Sequence, residues 1–179
     1  DNIKTKEISD EKIINLLAAW RKYNSVIAGI FTVLIIFVFP LAFHDYYYDI
    51  LVAKYIFYYG SVILMIVAML AGVFFFWYKD KREIGGNAVK EMRSNAKLNA
   101  LKMSDWAMII FLIAVTISTL QSEYRFESFW GNEGRFSGLF LLSLYGAAYF
   151  CVTRLGNFKR WYLDAFLAAN LLVCIFGIT

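Results

Sequence analysis

Proline and histidine each occur once in this chain, cysteine occurs twice, and only 18% of the 179 residues are charged. So little proline leaves long stretches in which a helix meets no breaker. Cys151 and Cys174 each lie inside an apolar run, at different depths along their helices, which argues against a disulfide framework. A single histidine excludes the paired His and Cys spacings of zinc sites, and neither a phosphate-cradling Gly-Lys loop nor a nucleophile elbow is present. A cleavable signal is missing as well, because the first twenty residues carry charge throughout and contain no short apolar core.

What the chain has is apolar surface. Hydrophobic residues make up 60% of it and aromatic ones 19%, more than a soluble domain of this length buries, since small folds leave much of their surface exposed. A bilayer supplies the missing apolar solvent, and the fold class expected is an all-α, polytopic transmembrane helix bundle. A crossing helix needs about 20 apolar residues, and five stretches approach that length: 26–43, 55–78, 104–121, 136–153 and 161–179. The apolar run of the third, Trp106 to Leu120, is short and must borrow Met103 or Gln121 and Ser122, or thin the bilayer, to cross. The fourth is rich in Gly, Ala and Ser, which favours close helix packing. The fifth carries Asp164 and Asn170, polar groups expected to face a bundle interior. The chain opens on Asp1 and stops at Thr179 inside an apolar run, as expected of an N-terminal piece of a longer protein.

The formal charge of +4 does not require nucleic acid, because Lys and Arg sit in short blocks between the apolar runs. Counted segment by segment the blocks hold 5, 1, 7, 2 and 3 basic residues, the alternation that the positive-inside rule produces. The N-terminus is therefore expected in the cytoplasm, with loops 44–54 and 121–136 outside. Trp20, Tyr23, Trp77, Trp106 and Trp161 fall at the inner boundary, and Tyr46 to Tyr48 and Trp130 at the outer one.

Residues 1–25 form the cytoplasmic leader to the first span. Ser9 can cap a helix beginning with Asp10 and Glu11, with Ile8 and Ile13 as a hydrophobic staple. Ile13, Leu16, Leu17 and Trp20 share a face, the pattern of an interfacial helix lying on the membrane, or of a helix packing on another part of the protein. Between the second and third spans, Gly85, Gly86 and Asn87 break the chain, and residues 88–102 form a weakly amphipathic basic helix that serves orientation near anionic lipid.

Chemistry concentrates in the outward stretch 123–138. It interleaves Glu123, Glu127 and Glu133 with Arg125 and Arg135, adds Phe129 and Trp130, and re-enters the membrane through a glycine-spaced turn. A guanidinium fork matches two phosphate oxygens and keeps its charge, and aromatic faces stack on sugar rings or sit among headgroups. The stretch is a candidate anionic-ligand site, set against the reading of a loop laced by its own Glu–Arg pairs. His44, beside Asp45 where the first span ends, reads as an interfacial side chain.

Two segments carry a family resemblance. Pro40-Leu-Ala-Phe-His-Asp-Tyr-Tyr-Tyr-Asp-Ile-Leu-Val-Ala-Lys-Tyr55 and Phe129-Trp-Gly-Asn-Glu-Gly-Arg-Phe-Ser-Gly-Leu139 resemble the N-terminal part of bacterial O-antigen ligase and polymerase proteins, in the version found in Gram-positive bacteria. The resemblance implies a multi-pass glycosyltransferase of the bacterial cytoplasmic membrane, transferring a polyprenyl-pyrophosphate-linked glycan to an acceptor hydroxyl on the outer face, with no cofactor, nucleotide sugar or obligatory metal. It implies lipid-pyrophosphate binding by Arg135 and, more weakly matched, Arg125, with Glu133, Trp130 and Glu127 in the substrate loop. Arginines so placed stabilise charge developing on the leaving pyrophosphate. The family's large later loop and its histidine have no counterpart here, so the piece alone is expected to be inactive, and no residue is a convincing general base. Two other classes stand beside this one: a small-solute transporter or channel subunit lined by Asp164 and Asn170, and a membrane scaffold whose Lys90, Arg93 and Lys97 recruit a cytoplasmic partner.

Overall fold

The computed structural model describes residues 2–41, 50–83, 85–86, 88, 101–132, 136–157 and 159–178, with backbone alone for 2–10, 83 and 176–178. Every regular element among them is helical: α1 (Asn2–Val33), α2 (Ile50–Glu83), α3 (Met103–Gln121), α4 (Arg125–Trp130), α5 (Leu139–Leu155) and α6 (Trp161–Ile178). Among the described residues three helical stretches are long and apolar enough to cross a membrane: Glu11–Leu41, Ile50–Arg82 and Met103–Gln121. The fourth and fifth expected spans form shorter apolar helices, and the 17 residues of α5 reach only about 26 Å against a hydrocarbon core of roughly 30 Å.

α1 starts at Asn2, seven residues before the expected cap at Ser9. Residues 2–8 hold no glycine or proline, so the helix propagates backwards at one hydrogen bond per residue. It continues unbroken through position 25 into the apolar stretch. Of the two readings of its apolar face, packing on another part of the protein is the one seen: Ile13 and Leu16 are buried with Ala88, and Leu17 and Phe76 pack against them. At its far end α1 widens into a π-helical turn, Leu34–Val38, where the Phe39 N–H donates to the Leu34 carbonyl. The cause is Pro40, which lacks an N–H and whose ring would strike the carbonyl four residues back in a regular helix. α6 packs on this turn and on Phe39–Leu41.

The core lies where α1, α2 and α5 meet. α2 supplies Tyr58, Val62, Met65 and Met69, α1 supplies Ala28 and Phe31, and α5 supplies Leu144 and Ala148. The α2 positions recur at intervals of four, three and four, so they form one stripe along the helix. A close approach fixes α1 on α2. The Tyr23 hydroxyl donates to the Ala68 carbonyl at 2.9 Å, and its ring lies where a side chain at Gly72 would stand. α2 then stops as its sequence expects. Gly85 is left-handed (φ 71°), the Gly86 N–H donates to the Asp80 carbonyl at 3.3 Å, and the buried Asp80 carboxylate accepts the Ala88 N–H at 3.1 Å. The wrap-back bond spans six residues, one more than in a Schellman stop, and the Asp80 side chain tightens the turn by holding the chain beyond it.

α3 packs on α5 and α4. Asp105, 2% exposed, ties its first turn down. One carboxylate oxygen accepts the Lys102 N–H at 2.7 Å and a bond from Arg154, and the other accepts the Tyr149 hydroxyl at 3.0 Å. The Lys102 bond is half of a capping box. The Tyr149 and Arg154 bonds reach across to the last turns of α5, so α3 and α5 run antiparallel. At their crossing Gly146 admits Leu112, whose Cδ1 lies 2.6 Å from where a Cβ at 146 would be.

Two stability outcomes follow. Met65→Ala is expected to cost about 2–5 kcal/mol by emptying a filled core site, whereas Leu64→Ala, on the exposed side of the same helix, should cost under about 0.5 kcal/mol. Detergent unfolding of the two variants checks the difference. By the same measurement Arg154→Leu, which strands a buried carboxylate, is expected to cost about 3–5 kcal/mol. Asp105→Asn should cost about 1–3 kcal/mol, because it leaves a partly exposed guanidinium free to turn to water.

Candidate functional site

At the opposite end of the α3–α5 pair the chain makes a short excursion. α3 ends at Gln121, and the Ser122 hydroxyl accepts the Tyr124 N–H at 3.2 Å and the Ser128 hydroxyl at 2.7 Å. Those two bonds fold the six-residue α4 back over the end of α3. α4 closes with the Gly131 N–H donating to the Glu127 carbonyl at 2.7 Å. Gly131 then takes φ 87°, and a Cβ there would stand 2.5 Å from the Ser137 nitrogen. Gly138, buried, lies equally tight against Phe129 and Gly131. The two glycines let the outgoing and returning strands of the loop touch backbone to backbone, which only a residue without a side chain permits.

Aromatic rings seat this loop on the bundle. Phe129 and Trp130 both meet Phe140 of α5, with centroids at 6.2 and 5.1 Å, and Phe136 stacks on Tyr55 of α2 at 4.7 Å and 18°. Phe136 has φ 50°, an uncommon conformation for a bulky residue, and that stack holds it there. The Lys54 ammonium lies 5.7 Å above the Phe39 ring nearby.

Between α3 and α5, beneath α4, runs a groove of about 530 Å³. Its walls are Phe111, Ala114, Val115, Leu139 and Leu142, and five hydroxyls edge it: Ser118, Thr119, Ser122, Ser128 and Ser137. Among the described residues no charged side chain lines it. An apolar trough rimmed by uncharged hydroxyls suits an amphiphile with a hydrogen-bonding head, since Ser118, Ser122 and Ser137 keep a hydrogen to donate while Thr119 and Ser128, whose hydrogens are spent, can still accept. A smaller cavity of about 150 Å³ at the other end of the molecule, between α1 and α2, is walled by Leu16, Leu17, Trp20, Val73, Phe76 and Trp77. Its one charged group, Asp80, already holds the Ala88 N–H, so it offers no comparable chemistry.

The expected site residues fall unevenly. Arg125, Glu127 and Trp130 all lie on α4, exposed, and Ser128 stands one turn from Arg125 on the same side of that helix. The expected lacing by Glu–Arg pairs is not seen where it can be observed: among the described residues neither Arg125, Glu123 nor Glu127 makes an ion pair, and Asp105–Arg154 is the pair that forms. Glu133 and Arg135 lie outside the described residues, as do His44, Asp45, Lys90, Arg93 and Lys97. Asp164 and Asn170 are exposed on α6 and face away from the bundle, which corrects the expectation that they face inward. α6 turns Tyr162 and Ala169 inward instead, the Tyr162 hydroxyl lying over Gly29 of α1. No group of three or more His, Cys, Asp or Glu gathers among the described residues to hold a metal, and both cysteines are free thiols.

The serine rim escaped the sequence reading because its members come from three separated segments, 118–122, 128 and 137. The only linear trace is the recurrence of small hydroxyl residues on both sides of the aromatic stretch. No family model matches this chain, and no curated protein or solved structure matches it either.

The glycine contacts carry their own test. Gly138→Ala is expected to displace α4 and to destabilise the protein by about 1–3 kcal/mol. It should also speed proteolytic cutting within 123–138 while leaving the α1–α2 half unchanged. Limited proteolysis with mass mapping reads both.

Proposed function

We propose that this chain belongs to a multi-pass membrane protein that handles a lipid-linked, anionic glycan donor, as a glycosyltransferase of O-antigen ligase or polymerase type. The observation that carries the reading is one juxtaposition. Arg125, with its fork unengaged by any described carboxylate, stands one turn from Ser128 at the rim of an apolar groove edged by five hydroxyls, beside the aromatic shelf of Phe129, Trp130 and Phe140. A cation for phosphate, rings for sugar faces and a trough for an apolar chain are the three chemistries that a polyprenyl-pyrophosphate-linked glycan presents. The resemblance of 40–55 and 129–139 to that family supports the same reading.

On this reading five spans cross the bacterial cytoplasmic membrane, the N-terminus is cytoplasmic, and the α4 loop lies on the outer face, where the basic-residue alternation puts it. Arg135 and Arg125 hold the pyrophosphate and stabilise its developing charge as the acceptor hydroxyl displaces it. Glu133, Glu127 and Trp130 shape the glycan side. The general base is supplied from beyond this chain. Lining of a solute pathway by Asp164 and Asn170 loses support, because both face away from the described bundle.

The test is made in cells with the parent gene. At equal membrane expression, Arg135→Ala and Arg125→Ala are expected to reduce surface polysaccharide about 10²-fold or more, the scale on which loss of one charge-stabilising donor acts. The polyprenyl-linked precursor should accumulate, and Lys at either position should restore only part of the product, lacking the fork. Unchanged glycan in both Ala variants would remove the reading.

A further inference from the structure

Three helix ends meet at the end of the molecule opposite α4. α3 begins there at Met103, α5 finishes at Leu155 and α6 begins at Trp161. The connection from α5 to α6 closes tightly on α1. A Cβ at Gly156 would stand 3.3 Å from the Ala28 side chain, and the Tyr162 hydroxyl lies over Gly29, so both ends of the connection rest on one turn of α1. Lys159 and Arg160, between them, are held at the same end as Arg154, and both are exposed. Lys102 joins them, because its N–H and the Arg154 guanidinium bond the same Asp105 oxygen. Arg21 and Lys22, also exposed, precede Ala28 and Gly29 by seven residues, two turns further out on the same side of α1.

The charges at this end do not cancel. Asp105 is spent on tying α3 to α5, and it engages one nitrogen of Arg154, whose side chain stays 28% exposed. A guanidinium has five N–H donors, so most of the fork is left over. Among the described residues Lys102, Lys159, Arg160, Arg21 and Lys22 make no ion pair, and neither does Asp164, the acid on the first turn of α6. Next to these cations the surface turns apolar at once. Met103, Trp106 and Trp161 are exposed on the first turns of α3 and α6, and indoles so placed belong in the headgroup layer. Cations just outside an indole belt stand level with lipid phosphates, so the membrane itself brings them a counterion.

We propose that Lys102, Arg154, Lys159 and Arg160, with Arg21 and Lys22 beyond them, hold the phosphate headgroup of an anionic phospholipid, in the leaflet that the basic-residue alternation makes cytoplasmic. Arg154 is the fixed point. Asp105 already holds its fork in one orientation, so its remaining N–H groups meet a phosphate at little ordering cost. The flexible lysines close around it as point charges. A headgroup held there joins the start of α3 to the start of α6. The proposal is independent of the groove beneath α4 and needs only that α3 and α6 begin at a membrane boundary.

The test uses the full-length protein in zwitterionic nanodiscs, with Trp106 as the only tryptophan and Phe in place of Trp20, Trp77, Trp130 and Trp161. Brominated lipids quench an indole only when they sit beside it. Brominated phosphatidylglycerol is expected to quench Trp106 at a mole fraction roughly ten-fold lower than brominated phosphatidylcholine needs. Lys159→Ala together with Arg160→Ala, both on the exposed connection, should bring the two lipids close to parity, at about five-fold lost per cation. Lys12→Ala with Arg82→Ala removes the same charge elsewhere on the surface and should leave the preference as it was. A protein keeping Trp161 alone reads the same site from α6 and should give the same order. Equal quenching by the two lipids would overturn the proposal. So would an equal loss in the Lys12→Ala, Arg82→Ala protein, which would mean diffuse attraction to a basic surface, or displacement by millimolar inorganic phosphate, which would mean a site for a soluble anion.

Discussion

The placement of α3, and with it the groove, depends on one buried carboxylate. In a membrane, apolar packing gives helices little reason to prefer each other over lipid, so position is set by polar bonds and by close backbone approach. Asp105 supplies the first. It gathers Lys102 N–H, the Tyr149 hydroxyl and the Arg154 guanidinium, and a buried charge that loses any one of these is left partly unsatisfied. Sliding α3 by a single turn would break the bonds from α5 at once. Leu112 over Gly146 supplies the close approach, and together they hold the far ends of α3 and α5 at the spacing that α4 bridges and the groove occupies.

The other half of the molecule is built on a different principle. α1 and α2 are joined by a continuous apolar stripe and by Tyr23, whose ring lies over Gly72 while its hydroxyl shares the Ala68 carbonyl. No ion pair is involved there among the described residues. The contact beyond it, Ile13 and Leu16 on Phe76 and Ala88, extends the same pair past the apolar stretch. The α1–α2 pair is thus a long two-helix stem, to which α5 adds a third wall and the α3–α4 unit is attached through α5.

Much of this was legible because it is local. Unbroken apolar runs announce their helices, Gly85 and Gly86 announce the end of α2, and Arg125, Glu127 and Trp130 fall in one short stretch. The features that were missed are long-range. Asp105 reads as an ordinary first-turn acid, and nothing near it in the sequence names Tyr149 or Arg154, 44 and 49 residues away. The Ser9 cap misled because a good capping residue marks where a helix can start, not where it must. The face of Ile13 and Leu16 showed that something covers it, but amphipathicity does not say whether lipid or protein does. For α6 the expectation that polar residues turn inward failed because the side facing α1 and the π-helical turn is the one that carries Tyr162 and Ala169.

Polar residues in the helices of this chain fall into two kinds. Thr32, Ser61, Thr116, Thr119, Ser143 and Thr153 each donate to the carbonyl four residues back, at 2.7 to 3.0 Å. A hydroxyl has one hydrogen, and that bond uses it, so these residues sit against lipid or protein at little cost. Asn24 and Asn170 make the same backward bond through Nδ2, but a carboxamide has a second hydrogen and an oxygen still to place. Asn24 is 1% exposed, and its Oδ1 has no partner among the described residues; Asn170 is on the open face. The hydroxyls can therefore be silent, and the amides cannot. By this criterion the hydroxyl rim of the groove needs its setting to become a site: Ser118 and Ser137 make no hydrogen bond among the described residues, and they gain meaning from lining the groove that Ser128, one turn from Arg125, also lines. Asn170, exposed on α6, keeps a second hydrogen and an oxygen to place after its bond to the Phe166 carbonyl.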